Sequence, residues 1–411
     1  MVTTVTPYTD QRNRANPGEG FDGVVRVAVG GFFGTGALLY DGRAVLTAAH
    51  LFANSTDGSA VGSADSTRVY FETAAGSQTL SASRVTVLSS YDAVQSNDDL
   101  ALVWLASSAP LKANRYSLYR SGDELGQSLT MVGYGLPGTG DTGTQALPGG
   151  NPLRLKASNQ FDADAATLKS ALGSLMAWTP TAGTQLVADF DNGSASQDAL
   201  GRLINRPGTG LGQNEGLIAP GDSGGPAFLN GQIAGVASYT ASLSKGSVHP
   251  DIDSASNRSF GELGFWQRVS HYQQWVDQNL RANYPNAPTQ PAQVQKSVLE
   301  GASGSSTYAY FLVQLTSVRT EPGQRASVDF ATRDGSATSG KDYVGTSGTL
   351  VIYANESQAV IPVEIIGDNT PEPDETFYLD VFNPVGGSFG DGVVKLTAMR
   401  TIVNDDGGLW S

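Results

Sequence analysis

Short apolar or alternating segments, interrupted by turn residues, make up most of this chain. Runs such as VVRVAV (24–29), RVTVL (84–88) and LALVWL (100–105) are each followed by glycine, proline or small polar residues. Glycine, which adopts turn conformations most readily, occupies 50 of the 411 positions. Short strands at such spacing, with few long helical patterns, predict an all-β protein built from sandwiches or barrels.

Two segments depart from this pattern and predict helices. The first is residues 163–178, which we expect to form a short inserted helix. The second is residues 269–284, where apolar side chains recur at helical spacing, so that one face packs and the other is solvated. These apolar positions are Val269, Tyr272, Val276 and Leu280.

A proline-rich segment divides the chain. Residues 284–297 begin YPNAPTQPAQVQ and contain three prolines among small polar residues, which is typical of a linker. We expect one β domain over residues 21–283 and a second over 298–406. Residues 1–20 then form a polar N-terminal arm rather than an element, and residues 407–411 form a tail.

The composition excludes several classes of function. The chain has no cysteine, which rules out a disulfide framework, a thiol nucleophile and thiolate metal sites, and its three histidines leave little material for a zinc site. A net charge of −14 is unfavourable for binding nucleic acid or anionic membranes. No run approaches the ~18 apolar residues that span a bilayer, so we expect no membrane span.

Three short stretches carry chemically active residues. LTAAH (46–50) places His50 after an apolar strand, NDDLALVWL (97–105) places Asp99 before a buried strand, and PGDSGGP (220–226) places Ser223 in a glycine-rich turn. Each residue alone has a simpler interpretation, as a structural histidine, a turn aspartate or a flexible loop. Their joint occurrence in this order predicts a hydrolytic triad.

The chemistry needs these residue types. A serine hydroxyl is a weak nucleophile at neutral pH, and imidazole, whose pKa lies near the working pH, is a suitable base for it. A buried carboxylate fixes the imidazole tautomer and stabilises the imidazolium that forms. Glycines around Ser223 allow a tight turn, so we expect the Gly221 and Ser223 amides to form an oxyanion hole.

The LTAAH, DLAL and GDSGGP motifs resemble those of trypsin-like serine endopeptidases over about residues 21–283. The resemblance implies a chymotrypsin-like double six-stranded β-barrel with the site between the barrels. It also implies that Ser238 and Thr240 of SYT (238–240) bind substrate, and that Gly264 of GFWQRV (264–269) forms a pocket wall. Asp99 is preferred to Asp98 because it directly precedes the LAL strand.

The resemblance has two departures. Residues 21–25 read FDGVV, without the Ile-Val-Gly-Gly-like start of relatives that are activated by proteolysis. Asp222 then needs another partner, and we expect an oxyanion hole that forms without conventional zymogen activation. Leu217 stands six residues before Ser223, where relatives specific for Arg or Lys carry aspartate. An apolar pocket disfavours a cation, so we expect cleavage after small or medium apolar residues.

Residues 189–198, DFDNGSASQD, contain oxygen ligands at a density that could hold calcium. A polar turn with Asn-Gly geometry is the favoured interpretation of this segment.

The second domain has its own resemblance. SVDFATRDGSATSGKDY (327–343), GDNTPEPDETFYLDVFNP (367–384) and IVNDD (402–406) resemble the Calx-β domain over about residues 298–406. The family implies a seven-stranded immunoglobulin-like sandwich whose acidic end binds Ca²⁺ in some members. Gly367 replaces an acid found in strongly binding relatives. The positions that match ligands are Glu300, Asp342, Asp368, Glu372, Glu375, Asp405 and Asp406.

Calcium prefers six to eight oxygen ligands, which these loops could bring together. The alternative is a solvated acidic rim that keeps the module soluble. Residues 298–406 hold 15 acidic and 6 basic side chains, a net charge of −9, so the acidity of the chain belongs mainly to this domain.

We therefore expect a serine endopeptidase that acts on protein or peptide substrates and needs no cofactor for catalysis. Ca²⁺ is the one candidate cofactor, in the C-terminal domain. That domain would be an accessory module, for a cell-surface or matrix partner or for stability, and the chain would be secreted or cell-surface bound. The alternatives are a catalytically silent protease fold that serves in binding or adhesion, and an adhesin fragment regulated by proteolysis.

Overall fold

The computed structural model describes residues 2–53 and 60–407, which are almost entirely strands and loops. They separate into two compact units. One holds the chain up to Leu39 together with Arg43–Gln273, and the other holds Tyr40–Gly42 together with the chain from Gln274 onward.

The predicted N-terminal arm contains regular structure, contrary to the expectation from its polar sequence. Strand β1 (Thr3–Thr4) pairs antiparallel with Gly216–Leu217 and parallel with Gly138–Thr139, and a 3-10 helix follows at Gln11–Asn13. Val2 is buried in the core of the first unit. A two-residue strand has no periodicity to detect, which is why the sequence did not indicate it.

The first β domain begins with a closed barrel of six antiparallel strands, in the order β2-β3-β4-β7-β6-β5. Alternation along VVRVAV points Val25, Val27 and Val29 into the barrel, where they join a core that includes Phe71 and Val103. The barrel strands are β2 (Val24–Val29), β3 (Phe32–Leu38), β4 (Ala44–Thr47), β5 (Thr67–Thr73), β6 (Gly76–Val87) and β7 (Ala101–Leu105).

The second half of this domain is a strongly bent sheet rather than a closed barrel. Its strands run in the order β11-β8-β15-β16-β17-β13-β12, and a small sheet has the order β10-β9-β1-β14. The strands are β8 (Ser128–Gly133), β9 (Gly138–Thr139), β10 (Gly143–Thr144), β11 (Leu155–Gln160), β12 (Ala163–Asp164), β13 (Gln185–Asp189), β14 (Gly216–Leu217), β15 (Pro226–Leu229), β16 (Gln232–Ala241) and β17 (Leu263–Arg268).

The predicted chymotrypsin-like all-β class is confirmed, with one difference in detail. The second sheet has seven strands and its edge strands, β11 and β12, are not paired with each other, so it forms a half-barrel.

The helices are short. Helix α1 (Ala165–Leu172) falls within the helix predicted over 163–178 but ends early, because Gly173 has a φ of +59° and only a 3-10 turn follows. Helix α2 (Ala199–Ile204) comes after the acidic segment, and α3 (Val269–Ala282) agrees with the second predicted helix. The remaining 3-10 turns are Ala49–Leu51, Pro148–Gly150, Gly212–Asn214 and Pro291–Gln293.

The C-terminal domain is the expected seven-stranded sandwich. A five-stranded sheet, β18-β24-β23-β20-β21, packs against the pair β19-β22 around Phe377, Val363 and Ile365. Its strands are β18 (Ser297–Leu299), β19 (Ser306–Gln314), β20 (Ala326–Asp334), β21 (Ser347–Ile352), β22 (Gln358–Ile366), β23 (Glu375–Val385) and β24 (Lys395–Val403).

The second unit begins before the predicted linker because the end of α3 is bonded within it. The buried carboxylate of Asp277 accepts hydrogen bonds from the hydroxyls of Tyr40 (2.7 Å) and Tyr353 (2.6 Å). Arg281 pairs with Glu356 at 3.0 Å. Apart from Gly407, the predicted tail lies outside the described residues. Among the helices of the described ranges, none has the length and apolar character needed to cross a bilayer.

Candidate active site

His50 and Asp99 form a close pair in the first unit. His50 lies on the 3-10 turn that follows β4, and Asp99 lies just before β7, the strand paired with β4. Nδ1 of His50 is 2.7 Å from Oδ2 of Asp99, and the His50 amide donates to Oδ1 at 2.9 Å. The pairing of the two strands therefore fixes both the position and the orientation of the imidazole.

The two side chains differ in exposure. The Asp99 side chain is 2% exposed, whereas that of His50 is 23% exposed. The carboxylate is shielded from solvent while part of the imidazole stays accessible. This is the arrangement in which an acid can orient a base that acts on an incoming molecule.

Ser238 has a contact that the sequence did not indicate. Its hydroxyl donates to Oδ2 of Asp99 at 2.5 Å, the same oxygen that faces the imidazole. The resemblance had suggested only a substrate-binding role for this residue. The sequence places Ser238 on a strand, directly before Tyr239, but nothing in it shows that the hydroxyl contacts Asp99.

Asp98 points elsewhere, although it adjoins Asp99. Its backbone has a φ of +57°, and its carboxylate accepts a hydrogen bond from the hydroxyl of Tyr272 at 2.6 Å. The left-handed conformation turns the two neighbouring carboxylates in different directions, so that Asp99 alone of the two bonds His50.

The pair shifts the pKa of each partner. Burial by itself would lower the pKa of His50, but the charge and hydrogen bond of Asp99 outweigh it and raise that pKa above the usual 6.5. For Asp99, burial by itself would raise the pKa, but His50 and the hydrogen bond from Ser238 hold that pKa below its usual value. Asp99 is therefore ionised, and His50 is more basic than an ordinary histidine side chain.

Ser223 lies in a turn packed against the first barrel. Its carbonyl accepts from the Thr35 amide at 2.8 Å, and the Thr35 hydroxyl donates to the Gly221 carbonyl at 2.8 Å. Gly224 has a φ of +82°, and a Cβ there would lie 2.0 Å from Oγ1 of Thr47 and 2.7 Å from the amide nitrogen of Ala48. Only glycine lets this turn approach the end of β4, three residues before His50.

Ser223 and His50 are thus carried by adjoining segments. Within residues 2–53 and 60–407, no hydrogen bond joins their side chains. Bonds between a nucleophile and its base are often long in a free enzyme and shorten in complex with substrate.

Two amide groups in the turn have no protein acceptor. Across the described ranges, neither the Gly221 nor the Ser223 amide donates to another group. The intervening Asp222 is fully buried, and its carboxylate accepts from the amides of Gly135 and Ala219, each at 2.8 Å. Burial raises the pKa of Asp222 to about 6. These bonds fix the turn and leave two donors for a ligand.

The predicted pocket residues lie together. Thr240 on β16 is paired with Gly264 on β17. A Cβ at Gly264 would lie 2.9 Å from Cδ1 of Leu217 and 2.7 Å from the ring of Trp266. The surroundings of Gly264 and Leu217 are therefore apolar and closely packed.

Leu217 is fully buried, in an apolar cluster with Phe190 and Phe260, whose rings lie 4.7 Å apart.

The acidic side chains of the sandwich form two groups instead of one set of seven. In the first, one carboxylate oxygen from each of Glu300, Asp368 and Asp406 lies within 4.8 Å of the others. Oδ2 of Asp406 is buried with no partner in the described part of the chain. This group has the donors that a hard cation prefers.

The second group consists of Asp342, Glu372 and Glu375 and is already neutralised in part. Nζ of Lys341 lies 2.7 Å from Glu372 and 3.2 Å from Asp342. Burial and the neighbouring Asp342 raise the pKa of Glu375 to about 7. The ammonium group of Lys341 would therefore compete with a metal ion for these carboxylates.

Asp405 and Gly367, the two remaining predicted positions, lie next to the first group. Asp405 accepts from the Gly301 amide at 3.0 Å and belongs to neither group. At Gly367, a Cβ would lie 2.3 Å from the Gly301 carbonyl oxygen, so the backbone as it stands leaves no room for an acidic side chain. Six of the seven predicted carboxylates thus fall into two groups of three, and Asp405 lies beside the first group.

Comparisons with known proteins identify both domains. The Trypsin family model matches residues 11–151, which include His50 and Asp99 but end before Ser223. The Calx-beta domain model matches residues 293–406.

Two curated relatives match a part of the chain. The sodium/calcium exchanger Calx of Drosophila melanogaster is 37% identical over 84 residues, 20% of this chain and 8% of that protein. Sodium/calcium exchanger 2 of Rattus norvegicus is 37% identical over 108 residues, 22% of this chain and 12% of the exchanger. The chain thus spans about a tenth of the length of these relatives.

Among solved structures, neuropsin, a serine protease expressed in the limbic system of mouse brain, matches with a TM-score of 0.42 and 17% identity. The match covers 62% of this chain and 93% of that chain. Residues 11–151 are thus identified as a Trypsin domain and residues 293–406 as a Calx-beta domain.

Proposed function

We propose that the chain is a serine endopeptidase with Ser223 as nucleophile, His50 as general base and then acid, and Asp99 as the group that orients His50. The observation that carries this proposal is the contact of 2.7 Å between His50 and the buried Asp99. The packing of the Ser223 turn against the end of β4 supports it.

In the first step, Oγ of Ser223 attacks the carbonyl carbon of the scissile peptide and its proton passes to Nε2 of His50. Nδ1 stays bonded to Asp99, which stabilises the positive charge on the ring. His50 then gives the proton to the leaving amine and the C–N bond breaks, which leaves an acyl-enzyme. In the second half of the reaction, water attacks the acyl carbon and gives a proton to His50. His50 then returns a proton to Oγ of Ser223 as the ester bond breaks, which releases the acid.

The amides of Gly221 and Ser223 would hold the oxygen that becomes negative during attack. Because neither amide has a protein acceptor in the described residues, both are available without breaking an internal bond. Losing one such donor typically costs about 2.7–4 kcal/mol of transition-state stabilisation.

Substrates would be cleaved after small or medium apolar residues. The burial of Leu217 among Phe190 and Phe260 supports this preference, because an apolar lining does not replace the water that an Arg or Lys side chain would lose. Thr240 and Gly264 would form the walls of the pocket.

A peptide-library digest tests activity and preference together. We expect the wild-type chain to cut after apolar residues, Ser223→Ala to be inactive, and the exposed control Ser170→Ala to match wild type. Cuts mainly after Arg or Lys would refute the preference. Equal digestion by Ser223→Ala would refute the assignment of the nucleophile, and no digestion by any form would favour a binding protein with a silent protease fold.

We further propose that the sandwich binds Ca²⁺ through Glu300, Asp368 and Asp406. The donor set is all oxygen, and the buried, unpartnered Oδ2 of Asp406 supports a cation at this position. The ion would supply positive charge that joins the two ends of the sandwich domain to an inner loop. Binding to the native state alone must raise the melting temperature.

The test is a thermal melt with Ca²⁺ and with chelator, on wild type and Asp406→Asn. We expect the calcium-induced shift to shrink in the variant. An equal shift in both proteins would refute this site. We also propose that the chain is exported and that the sandwich attaches it to a cell surface or matrix.

A further inference from the structure

Three buried carboxylates meet in the protease domain, away from the sandwich. Asp189 ends β13, Asp191 follows it by two residues, and Asp198 precedes α2. All three side chains are buried, and one carboxylate oxygen from each lies within 4.8 Å of the others. The sequence favoured a solvated polar turn here. A turn does form at Asn192–Ser194, but the aspartates face inward.

In the described part of the chain, no basic side chain neutralises this group. Within the described ranges, no Lys, Arg or His lies within ion-pair distance of the three carboxylates. Arg202 of the neighbouring helix donates instead to the carbonyls of Ser196 and His249. A fourth buried acid, Glu215, adds negative charge, because it accepts from the Asp191 amide at 2.7 Å.

Backbone amides satisfy two of the three carboxylates. Asp189 accepts from Leu200 at 2.7 Å, and Asp198 accepts from Gly201 at 2.6 Å. Asp191 is different. Its side chain is 4% exposed, and its Oδ1 is buried with no hydrogen-bond partner in the described residues. An ionised oxygen buried without a partner is costly, so this atom points to a missing positive ligand.

The electrostatics agree with this geometry. Burial raises the pKa values of Asp189 and Asp191 well above the usual range, and the mutual repulsion of the acids raises them further. Burial also raises the pKa of Glu215 to about 7. A cation among the acids would reverse these shifts, because it favours the charged form of each.

We propose that Asp189, Asp191 and Asp198 bind a Ca²⁺ ion. Each ionised carboxylate keeps lone pairs that no backbone amide uses. A site of hard oxygen donors, without histidine or cysteine, suits Ca²⁺ rather than Zn²⁺. Backbone carbonyls or water would complete the six to eight ligands. Mg²⁺ fits poorly, because it keeps several waters and demands octahedral geometry.

This ion would stabilise the region beneath the proposed substrate pocket. Phe190, between two of the ligands, packs against Leu217. Glu215, bonded to the Asp191 amide, stands two residues before Leu217 in the segment that leads to the Ser223 turn. The site itself does not depend on the proposed activity, because binding is measured directly.

The experiment is a calorimetric titration of the metal-free full chain with Ca²⁺ at neutral pH. It compares wild type with Asp191→Asn and with Asp141→Asn, which removes one exposed carboxylate. All three proteins share the same sandwich, so calcium bound there cancels in the comparison. We expect Asp191→Asn to bind one Ca²⁺ fewer per chain than the other two proteins. In chelator it should melt at or above the wild-type temperature, because asparagine avoids the cost of placing a titratable acid among the other buried acids.

Equal stoichiometry and affinity in wild type and Asp191→Asn would overturn the proposal. If Asp191→Asn does not fold, Asp198→Asn takes its place, since asparagine also caps a helix, and the same outcomes decide. A titration in excess Mg²⁺ tests the choice of ion. Calcium binding by wild type that is unchanged in Mg²⁺ supports the choice of Ca²⁺. If Mg²⁺ displaces the calcium ion that Asp191→Asn fails to bind, the choice of Ca²⁺ is overturned.

Discussion

Nδ1 of His50 lies 2.7 Å from Oδ2 of Asp99, and the same carboxylate accepts the His50 amide through its other oxygen. Asp99 therefore holds both the ring and the backbone of the residue that it orients. Because Asp99 is buried and ionised, its charge acts on His50 with little screening and raises the pKa of the imidazole.

The pH dependence of hydrolysis should report this charge. His50 must be neutral to accept the proton of Ser223, so kcat/KM should fall as the pH decreases through the pKa of His50. Since Asp99 raises that pKa, the acidic limb of the wild-type profile should lie above 6.5. In Asp99→Asn the limb should move to lower pH, and kcat should fall about 10⁴-fold because the tautomer is no longer fixed.

Asp98→Asn is the matched control, since asparagine can still accept the Tyr272 hydroxyl. Its pH profile should overlay that of wild type. A profile in which Asp98→Asn moves the limb and Asp99→Asn does not would contradict the assignment of the orienting acid.

Leu217→Asp should destabilise the protease domain instead of simply creating specificity for basic residues. The side chain is fully buried among aromatic rings, so a carboxylate there would lack a partner and cost at least about 3 kcal/mol. Leu217→Met conserves volume and should cost less than about 1.5 kcal/mol. The measurement is the free energy of unfolding by urea, followed by tryptophan fluorescence. Equal stability of the two variants would show that the position is solvated.

Gly224→Ala should disrupt the Ser223 turn far more than a positive φ alone explains. Gly231 also has a positive φ, +77°, but open space where a Cβ would lie, so Gly231→Ala should cost only about 1–2 kcal/mol. At Gly224 the new Cβ would lie 2.0 Å from Oγ1 of Thr47. We expect lower stability and loss of hydrolysis in Gly224→Ala alone. Similar behaviour of both variants would argue against the close packing of the turn.

Lys341→Met should make the sandwich depend on added cations. The ammonium lies between Asp342 and Glu372, and without it these acids and Glu375 repel one another. The melting temperature should fall at low ionic strength and recover partly with Ca²⁺. A melting temperature unchanged by the substitution would mean that the ion pairs do not stabilise the sandwich, as is common for exposed pairs.

Much of the architecture could be predicted from sequence because it rests on local patterns. Alternating valines in residues 24–29 predict a strand, and apolar spacing from Val269 to Leu280 predicts a helix, as observed. His50 and Asp99 were found because each stands beside an apolar strand, and the pairing of those strands brings the side chains together.

Other features depend on contacts between distant segments and left no local signal. The hydroxyl of Ser238 reaches an acid 139 positions earlier. The strand at Thr3–Thr4 exists through its partners at 216–217 and 138–139. The burial of Asp191 follows from packing around β13, whereas its sequence neighbours, Asn192 and Gly193, indicate an exposed turn.

Covalent labelling of Ser223 tests the central claim most directly. The full chain is treated with a fluorophosphonate, which reacts with activated serine hydroxyls, and the adduct is located by mass spectrometry of the digested protein. We predict one adduct on Ser223 in wild type and in Ser170→Ala, a much slower reaction in His50→Ala, and none in Ser223→Ala. Labelling that is absent from wild type, or equally fast in His50→Ala, would contradict a nucleophile activated by the His50–Asp99 pair.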